Sequence, residues 1–277
     1  MRIASYPPQE PFSKVAEAYH DEVMRLGAGA GPFVEGSYGE SPYQGIAIFP
    51  APAPDGRVLA FIHGGGWTNG YKEWMHFMAP AFTAAGVTFV SIGYRLAPGH
   101  AFPAAYNDVA DGLVETLDRI VSHGGDPERL FVGGHSAGGH YAALLATRAD
   151  WCEARRLAEN PIRGCLPISG VYRFGEGSGM TVRPRFLGAE NMGNERKASP
   201  IEDIDAAPPF LIAHGDRDFP HLMVQAEDME QRLRGLNVPV RRLVLTDSDH
   251  FRASYLGGDP QSVWVKAALD FMDAGKP

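Results

Sequence analysis

The chain has 277 residues with 25 Lys and Arg against 33 Asp and Glu, which is a formal net charge of -8 at pH 7. This length suits one large α/β domain, and a hydrophobic content of 44% with a charged content of 21% is that of an ordinary globular protein. The acidic balance, with no cluster of Lys and Arg, argues against nucleic acid and against an anionic membrane surface as partners, because both attract concentrated positive charge.

The N-terminal segment, residues 1–37, is predicted to form a small cap ahead of the main fold. Its first residues lack the apolar core of a signal peptide, and no stretch of the sequence reaches the length of a membrane span. The simplest expectation is a cytoplasmic protein with no membrane partner. Ser13 is a suitable N-cap for a helix over residues 14–26, which Gly27 then ends.

Strands and helices are predicted to alternate through the rest of the chain. Continuous apolar runs are typical of strands buried on both faces of a sheet, and a 3.6-residue periodicity indicates helices between them. The predicted strands cover residues 44–49, 57–62, 87–92, 129–133, 162–169, 209–213 and 238–245. The predicted helices cover residues 103–122, 139–148, 222–233 and 261–272. This alternation predicts an α/β fold with a mostly parallel, twisted central sheet flanked by helices on both faces.

A single domain is predicted over residues 1–277, since no internal repeat or low-complexity linker divides the chain. Residues 172–199 differ from their surroundings, because they are rich in Gly, Arg and Asn and have weak periodicity. They are predicted to form an excursion above the sheet on the substrate side, where lids and substrate loops are commonly found.

Residues 134–138 read Gly-His-Ser-Ala-Gly and fit the G-x-S-x-G pattern of a nucleophile elbow. A predicted strand ends just before this run and an alanine-rich helix begins just after it, which is the context that the motif requires. Small residues two before and two after the serine permit the tight turn that holds its hydroxyl clear of the backbone. Ser136 is therefore the predicted nucleophile, and the side chain of His135 is expected to point away from it.

A serine hydroxyl needs a neutral imidazole to accept its proton and a carboxylate to orient that imidazole. His250 directly follows the last predicted strand and is the predicted base; His214 is its strongest rival but adjoins the acid loop. The acid is either Asp216 or Asp218, which both follow the preceding strand. We favour Asp218, because a G-x-x-D turn carries its carboxylate past the strand end toward the histidine loop. Asp216 would then cap the turn or pair with Arg217.

Three consecutive glycines follow the predicted strand 57–62, in the run His-Gly-Gly-Gly-Trp at residues 63–67. Glycines let backbone N–H groups face a pocket without side chains in the way, so these groups and the N–H of Ala137 are expected to form an oxyanion hole. Aromatic residues near the motifs are candidate walls of an apolar substrate pocket. The predicted substrate-binding residues are Trp67, Tyr71, Phe102, Tyr172 and Phe251, with Trp74 and Phe174 as further candidates.

No cofactor and no metal are expected from the sequence. The dinucleotide pattern G-x-G-x-x-G, the phosphate-loop pattern and the zinc pattern H-E-x-x-H are all absent. Cys152 and Cys165 have neither C-x-x-C spacing nor the pattern of a disulfide framework, so they are predicted to be reduced, structural thiols.

Together these motifs resemble the α/β-hydrolase superfamily, and within it the branch of hormone-sensitive-lipase-like esterases and kynurenine formamidases. The resemblance runs from about Tyr38 onward and also includes residues 93–98, 102–105 and 249–251. The order of serine, acid and histidine along the chain is the one expected for this superfamily. By analogy with the family, Gly65 and Gly66 would be the oxyanion donors beside Ala137.

Two details divide the resemblance between the two subfamilies. Esterases of this branch typically carry Asp before the serine, whereas this chain has His135, and the run Gly-His-Ser-Ala-Gly-Gly-His looks more like a formamidase. Formamidases often have tyrosine where this chain has Gly66, and the run Tyr-Arg-Leu-Ala-Pro at residues 94–98 looks more like an esterase.

The sequence thus predicts a cofactor-free serine hydrolase that cleaves a small carboxylic ester or an activated amide through an acyl-enzyme. The alternative is an arylformamidase acting on a substrate of the N-formylkynurenine type, which would use the same machinery. A non-catalytic ligand receptor on the same fold is a minor alternative. Such receptors normally lose a member of the triad, whereas this sequence retains Ser136, a candidate acid and His250. The expected partner is a small molecule, and a homodimer is left open.

Overall fold

The computed structural model describes residues 3–180, 185–189 and 192–274. Within these residues an eight-stranded sheet has the order β1-β2-β4-β3-β5-β6-β7-β8. The strands are β1 (Val34–Ser37), β2 (Gly45–Phe49), β3 (Gly56–Ile62), β4 (Thr88–Ile92), β5 (Gly125–His135), β6 (Ile162–Ile168), β7 (Phe210–Gly215) and β8 (Val240–Leu245). The β1–β2 and β2–β4 pairs are antiparallel and every other pair is parallel.

The helices lie between these strands and at both ends of the chain. They are α1 (Lys14–Gly27), α2 (Ala79–Thr83), α3 (Ala104–Ile120), α4 (Ala137–Thr147), α5 (Asp150–Ala154), α6 (Asn194–Ala198), α7 (Pro220–Gly235), α8 (His250–Tyr255) and α9 (Val263–Ala274). A 3-10 helix, Lys72–Met78, precedes α2. The α/β fold with a mostly parallel sheet, predicted from the sequence, is confirmed.

Boundaries and short elements account for most differences from the sequence-based expectation. β1 was not predicted, because its four residues are largely exposed and so carry no apolar signal. β5 begins four residues earlier than predicted, since its first part is only half-buried and the apolar run starts at Leu130. α4 begins at Ala137 and not at residue 139, because the residue before Ala137 acts as the N-cap of the helix.

The core lies along the central strands and α4. Every residue of β4 is buried, as is every residue of α4. A helix that is buried on all sides needs small side chains to approach the sheet closely, and α4 meets this need with four alanines and two glycines in eleven residues. This packing places the N-terminus of α4 at the carboxyl ends of the parallel strands, where sites in open α/β sheets form.

The N-terminal segment is attached to the loop that follows β3. The amide nitrogen of the Gln9 side chain donates to the carbonyl of Gly70 at 2.8 Å, and the Gly70 N–H donates back to the Gln9 side-chain oxygen at 2.9 Å. Asn69 donates from its side chain to the carbonyl of Glu10 at 2.7 Å. Farther along, the hydroxyl of Tyr19 in α1 shares a hydrogen bond of 2.9 Å with the hydroxyl of Ser254 in α8. These contacts place α1 beside the carboxyl-end loops of the sheet.

Several expectations concern residues outside the described ranges. Residues 181–184, 190 and 191 of the predicted excursion lie outside them, as do 1, 2 and 275–277 of the predicted domain. Among the described residues, no helix combines the length and apolarity needed to cross a membrane.

Cys152 and Cys165 are both free and buried, and burial raises the pKa of the Cys152 thiol to about 11.

Candidate active site

The turn between β5 and α4 has the geometry of a nucleophile elbow. Ser136 occupies it with φ 55° and ψ -117°, a sparsely populated backbone conformation for a residue with a side chain. The glycines on either side are required by close backbone approach. A Cβ on Gly134 would lie 2.3 Å from the carbonyl carbon of Gly138, and a Cβ on Gly138 would lie 2.0 Å from the carbonyl oxygen of Ile62. The surrounding packing therefore holds Ser136 in this strained turn.

Ser136, His250 and Asp218 form a continuous chain of hydrogen-bonding distances. His250 Nε2 lies 3.0 Å from Ser136 Oγ, and His250 Nδ1 lies 2.8 Å from Asp218 Oδ1. Asp218 follows β7 and His250 follows β8; these strands are parallel neighbours, so their carboxyl ends meet at one edge. A proton on Nδ1, directed at the carboxylate, leaves Nε2 free to accept the serine proton.

Asp218 is buried and fully hydrogen-bonded. Its Oδ1 also accepts from the backbone N–H of Phe219 at 2.7 Å, and its Oδ2 accepts from the hydroxyl of Ser169. Burial acts to raise the pKa of the Asp218 carboxyl, but the hydrogen bonds from His250, Ser169 and Phe219 outweigh it and hold the pKa below its ordinary value of 3.8. The carboxylate is therefore ionised at neutral pH.

Ser169 is a residue that sequence reasoning missed. It follows β6, the neighbour of β7 in the sheet, and its backbone N–H donates to the carbonyl of Ala213 at 2.8 Å. Its place next to Asp218 depends on the strand order, which the sequence does not reveal. A serine at the end of a predicted strand is the only local signal that could have drawn attention to it.

Asp216 lies on the exposed side of the same turn. Its two carboxylate oxygens each accept a backbone N–H at 3.0 Å, one from Asp247 and one from Ser248. Arg217 pairs with Asp247 at 2.6 Å. The structure thus brings Asp218 to the histidine and uses Asp216 to close the loop that leads to His250. His214, the rival base, bonds through Nδ1 to the carbonyl of Gly215 at 2.9 Å.

The glycine loop after β3 faces Ser136. Gly65 and Gly66 have φ values of 111° and 61°, and the carbonyl of Gly65 accepts from the N–H groups of Thr68 and Asn69 at 3.2 and 3.0 Å. Ala137 is the first residue of α4, where backbone N–H groups have no partner within the helix and the helix dipole is positive. Backbone donors at these positions can stabilise a negatively charged oxygen near Ser136.

Tyr94 supports this loop from below. Its hydroxyl lies 3.0 Å from the carbonyl oxygen of His63 and 3.3 Å from that of Gly64, and its ring stacks on His63 with centroids 4.2 Å apart. His63 Nδ1 in turn donates to the carbonyl of Gly64 at 2.7 Å. With these carbonyls bound behind the loop, the glycine backbone is fixed in one orientation.

A cavity of about 240 Å³ adjoins Ser136. Most of its walls are aromatic or backbone. It is lined by Ala16, Tyr19, Gly65, Gly66, Asn69, Trp74, His135, Ser136, Phe219, His250 and Phe251. A cavity of this size with apolar walls and a reactive hydroxyl accommodates a small, largely apolar group.

Of the candidate pocket residues from the sequence, Phe251 and Trp74 line this cavity. Two others, Trp67 and Phe102, are not among the residues that line this cavity, and both pack against Phe186 of the excursion. The Trp67 and Phe186 rings stack with centroids 4.5 Å apart, and the Phe102 and Phe186 centroids lie 5.9 Å apart. Trp67 also donates from its indole nitrogen to His140 Nδ1 at 3.1 Å. They join the excursion to the main fold.

Tyr71 and Tyr172 also lie outside the cavity walls, contrary to expectation. Tyr71 packs edge-on against Tyr6 of the N-terminal segment, with ring centroids 4.8 Å apart. Tyr172 is completely buried, and its backbone N–H donates to the side chain of Gln225 in α7 at 2.7 Å. Aromatic residues are equally suited to a core and to a pocket, and local sequence does not separate the two.

The cavity walls that sequence reasoning missed come from distant or unmarked positions. Ala16 and Tyr19 belong to α1, and Phe219 directly follows Asp218. Because Phe219 is adjacent to the predicted acid, the sequence could have indicated that it lies near the site. No motif near α1 indicated that this helix lines the cavity. His135, whose side chain was expected to point away from Ser136, is among the residues that line the cavity, and its ring lies 4.7 Å from the His250 ring. A hydrogen bond to the backbone of His250 holds the ring there.

Comparisons with known proteins identify relatives of this chain. A family model described as the alpha/beta hydrolase fold matches residues 59–253. Esterase LipC of Mycobacterium tuberculosis (strain ATCC 25618 / H37Rv) is 30% identical over 72% of this chain and 54% of its own length. A kynurenine formamidase of Danio rerio is 24% identical over 77% of this chain and 73% of its own length. The resemblance inferred from the motifs is confirmed.

The chain spans about half the length of the mycobacterial esterases that it matches. Solved structures share its fold over nearly the whole chain. An esterase from the archaeon Pyrobaculum calidifontis has a TM-score of 0.74 at 21% identity and covers 95% of this chain and 92% of its own. EstE1, a thermostable carboxylesterase from a metagenomic library, has a TM-score of 0.73 at 22% identity and covers 100% of both chains.

Proposed function

Because the chain belongs to the α/β-hydrolase family, we propose that it is a serine hydrolase that cleaves a small carboxylic ester through an acyl-enzyme. One observation carries this proposal above the others. Ser136, His250 and Asp218 are connected by distances of 3.0 and 2.8 Å beside a cavity large enough for a small substrate. The esterases among its relatives support the same reaction class.

In the proposed mechanism His250 Nε2 removes the proton of Ser136 while Oγ bonds to the ester carbonyl carbon. The carbonyl oxygen becomes negatively charged and accepts hydrogen bonds from the N–H groups of Gly65, Gly66 and Ala137. Collapse breaks the bond to the alcohol oxygen, which takes the proton from the imidazolium. Water then repeats the sequence on the acyl-enzyme and releases the acid. Asp218 holds the imidazole and stabilises its protonated form throughout.

The size and walls of the cavity favour a substrate with a short acyl group and an aromatic alcohol. Its volume of about 240 Å³ is below the range of pockets that hold drug-sized ligands, and Tyr19, Trp74, Phe219 and Phe251 supply apolar walls. We propose in addition that residues 1–37 act as a cap within a single domain, since Ala16 and Tyr19 of α1 form part of the same wall.

The proposed function is tested by comparing p-nitrophenyl acetate, butyrate and decanoate. We expect turnover of the two short esters and a kcat/KM for decanoate at least about tenfold lower, because its chain does not fit the cavity. Undiminished turnover of decanoate would contradict the size limit. No release of p-nitrophenol from any of the three would contradict the esterase assignment.

An arylformamidase is the second candidate, favoured by the similarity to the Danio rerio enzyme over 73% of that enzyme's length. It would use the same side chains on an N-formyl arylamine. Rates on N-formylkynurenine and p-nitrophenyl butyrate, measured side by side, distinguish the two. A kcat/KM for the formamide above that for the ester would replace our first assignment with the second. Binding without turnover of either would indicate a receptor.

The two glycines of the oxyanion loop offer a matched test. A Cβ on Gly65 would lie 2.0 Å from the carbonyl oxygen of Asn69, and the φ of 111° disfavours any side chain; a Cβ on Gly66 meets no atom within 4 Å. We expect Gly65→Ala to lower kcat about 10²-fold, the effect of losing one oxyanion donor. Gly66→Ala keeps the loop in place and costs about 1 kcal/mol of stability.

The kcat of both variants on p-nitrophenyl butyrate measures the loss of catalysis, and their melting temperatures measure the loss of stability. A kcat for Gly65→Ala equal to that of the parent would show that the conformation of the loop at Gly65 has no part in catalysis.

A further inference from the structure

His135 forms a hydrogen bond across the site that the mechanism above does not use. Its Nε2 lies 3.0 Å from the backbone carbonyl oxygen of His250, although the two residues are 115 positions apart in the sequence. The His135 ring is 2% exposed and its centroid lies 4.7 Å from that of the His250 ring. The elbow and the loop of the base are therefore joined directly, through the residue that precedes the nucleophile.

The direction of this bond follows from the chemistry of the partners. A carbonyl oxygen only accepts, so His135 Nε2 must carry the proton. Burial, aided by the nearby His250, lowers the pKa of His135 to about 3, so the ring is neutral and its single proton resides on Nε2. Nδ1 then has only a lone pair, and it has no hydrogen-bond partner among the described residues. The ring thus acts as a donor at one defined atom.

This bond constrains the atoms that react. His135 and Ser136 are consecutive in a turn where backbone packs closely around Gly134 and Gly138, while His250 begins α8 and its side chain lies 2.8 Å from Asp218. Asp218 orients the imidazole, while Asp216 and Asp249 bind the backbone N–H groups that precede and follow His250 within its own loop and helix. The bond from His135 fixes that backbone relative to the elbow, and so fixes the distance from Nε2 to Oγ.

We propose that His135 is a positioning residue, which holds the backbone of His250 at the distance that proton transfer from Ser136 requires. The inference rests on the proposed function and deepens it. An apolar ring would fill the space at residue 135 as well as imidazole does. The imidazole leaves its buried acceptor Nδ1 without a hydrogen-bond partner among the described residues, which costs free energy, and only the hydrogen bond donated by Nε2 offsets that cost.

Three variants separate the donor from the ring. In His135→Gln the amide nitrogen reaches the place of Nε2, in His135→Asn it reaches only the place of Nδ1, and His135→Phe keeps a ring without a donor. We expect kcat on p-nitrophenyl butyrate to fall about 10- to 100-fold in the Asn and Phe variants, with KM within about threefold of the parent, because small misplacements of a reacting group have effects of this size. The Gln variant should stay within about threefold of the parent in both constants.

Crystal structures of the parent, the Gln variant and the Phe variant provide a second readout that needs no turnover. The distance between Ser136 Oγ and His250 Nε2 should stay near 3.0 Å in the parent and the Gln variant, and should lengthen beyond hydrogen-bonding distance in the Phe variant. Parental kcat in the Asn and Phe variants, or a Gln variant as slow as the Phe variant, would overturn the positioning role. A parent protein inactive on every ester and formamide would overturn the proposed function instead, and the crystallographic distances would then decide the positioning role by themselves.

Discussion

Replacing Ser136 with alanine should lower kcat on p-nitrophenyl butyrate by at least about 10⁴-fold, the scale seen when a serine hydrolase loses its nucleophile. The oxygen that attacks the carbonyl is removed, and the oxyanion donors alone support only slow attack by water. The fold should be preserved, because alanine tolerates the turn at φ 55° no worse than serine does. Hydrolysis rate, circular dichroism and melting temperature of the purified variant check both parts.

Ser122→Ala is the matched control, since it makes the same chemical change at an exposed position after α3. Its activity should equal that of the parent. A fluorophosphonate, which labels activated serines, should modify the parent and the control and leave Ser136→Ala unlabelled. Full turnover by Ser136→Ala in a folded preparation would end the proposed mechanism.

Replacing Asp218 with asparagine should lower kcat about 10⁴-fold. The amide is nearly the same size, but its nitrogen can face His250 Nδ1 and favour the tautomer that carries its proton on Nε2, which cannot accept from serine. The loss should extend over the whole neutral range, because the hydrogen bonds that overcome burial hold the pKa of the native carboxyl below 3.8 and it is ionised there.

Asp216→Asn is the comparison that makes this result specific, since it makes the same change two residues away. Asparagine retains one of the two acceptors that bind the N–H groups of Asp247 and Ser248. Losing one such bond should cost about 1 kcal/mol of stability and leave kcat within about fivefold of the parent. A loss in Asp216→Asn as large as that in Asp218→Asn would remove the distinction between the two carboxylates that the geometry supports.

The candidate site was predictable where its chemistry depends on consecutive residues. The elbow around Ser136 and the glycine run at residues 64–66 are local patterns, because a tight turn needs glycine at set offsets from the nucleophile. His250 could be predicted for a related reason. Apolar runs show where strands end, and the carboxyl ends of parallel strands meet at one edge of the sheet. For Asp218 the sequence offered two carboxylates, and only the turn geometry separated them.

The pocket was much less predictable. Trp67 and Tyr172 were expected to line it and instead pack in the interior, while Tyr19 lines it from a helix that no motif connected with the site. The side chain of His135 was expected to face away from the serine and lies against the base. Each of these outcomes depends on contacts between segments far apart in the chain.

By itself the sequence determined the class of fold, the strands of the parallel core and the candidate nucleophile. These follow from the hydrophobic period and from the steric needs of single turns, which are properties of neighbouring residues. The tertiary structure decided which acid meets His250, which aromatic rings face the cavity, and that Ser169 and His135 bind the acid and the base. Those are decided by strand order and packing, since two side chains distant in sequence meet only when the sheet brings their strand ends together.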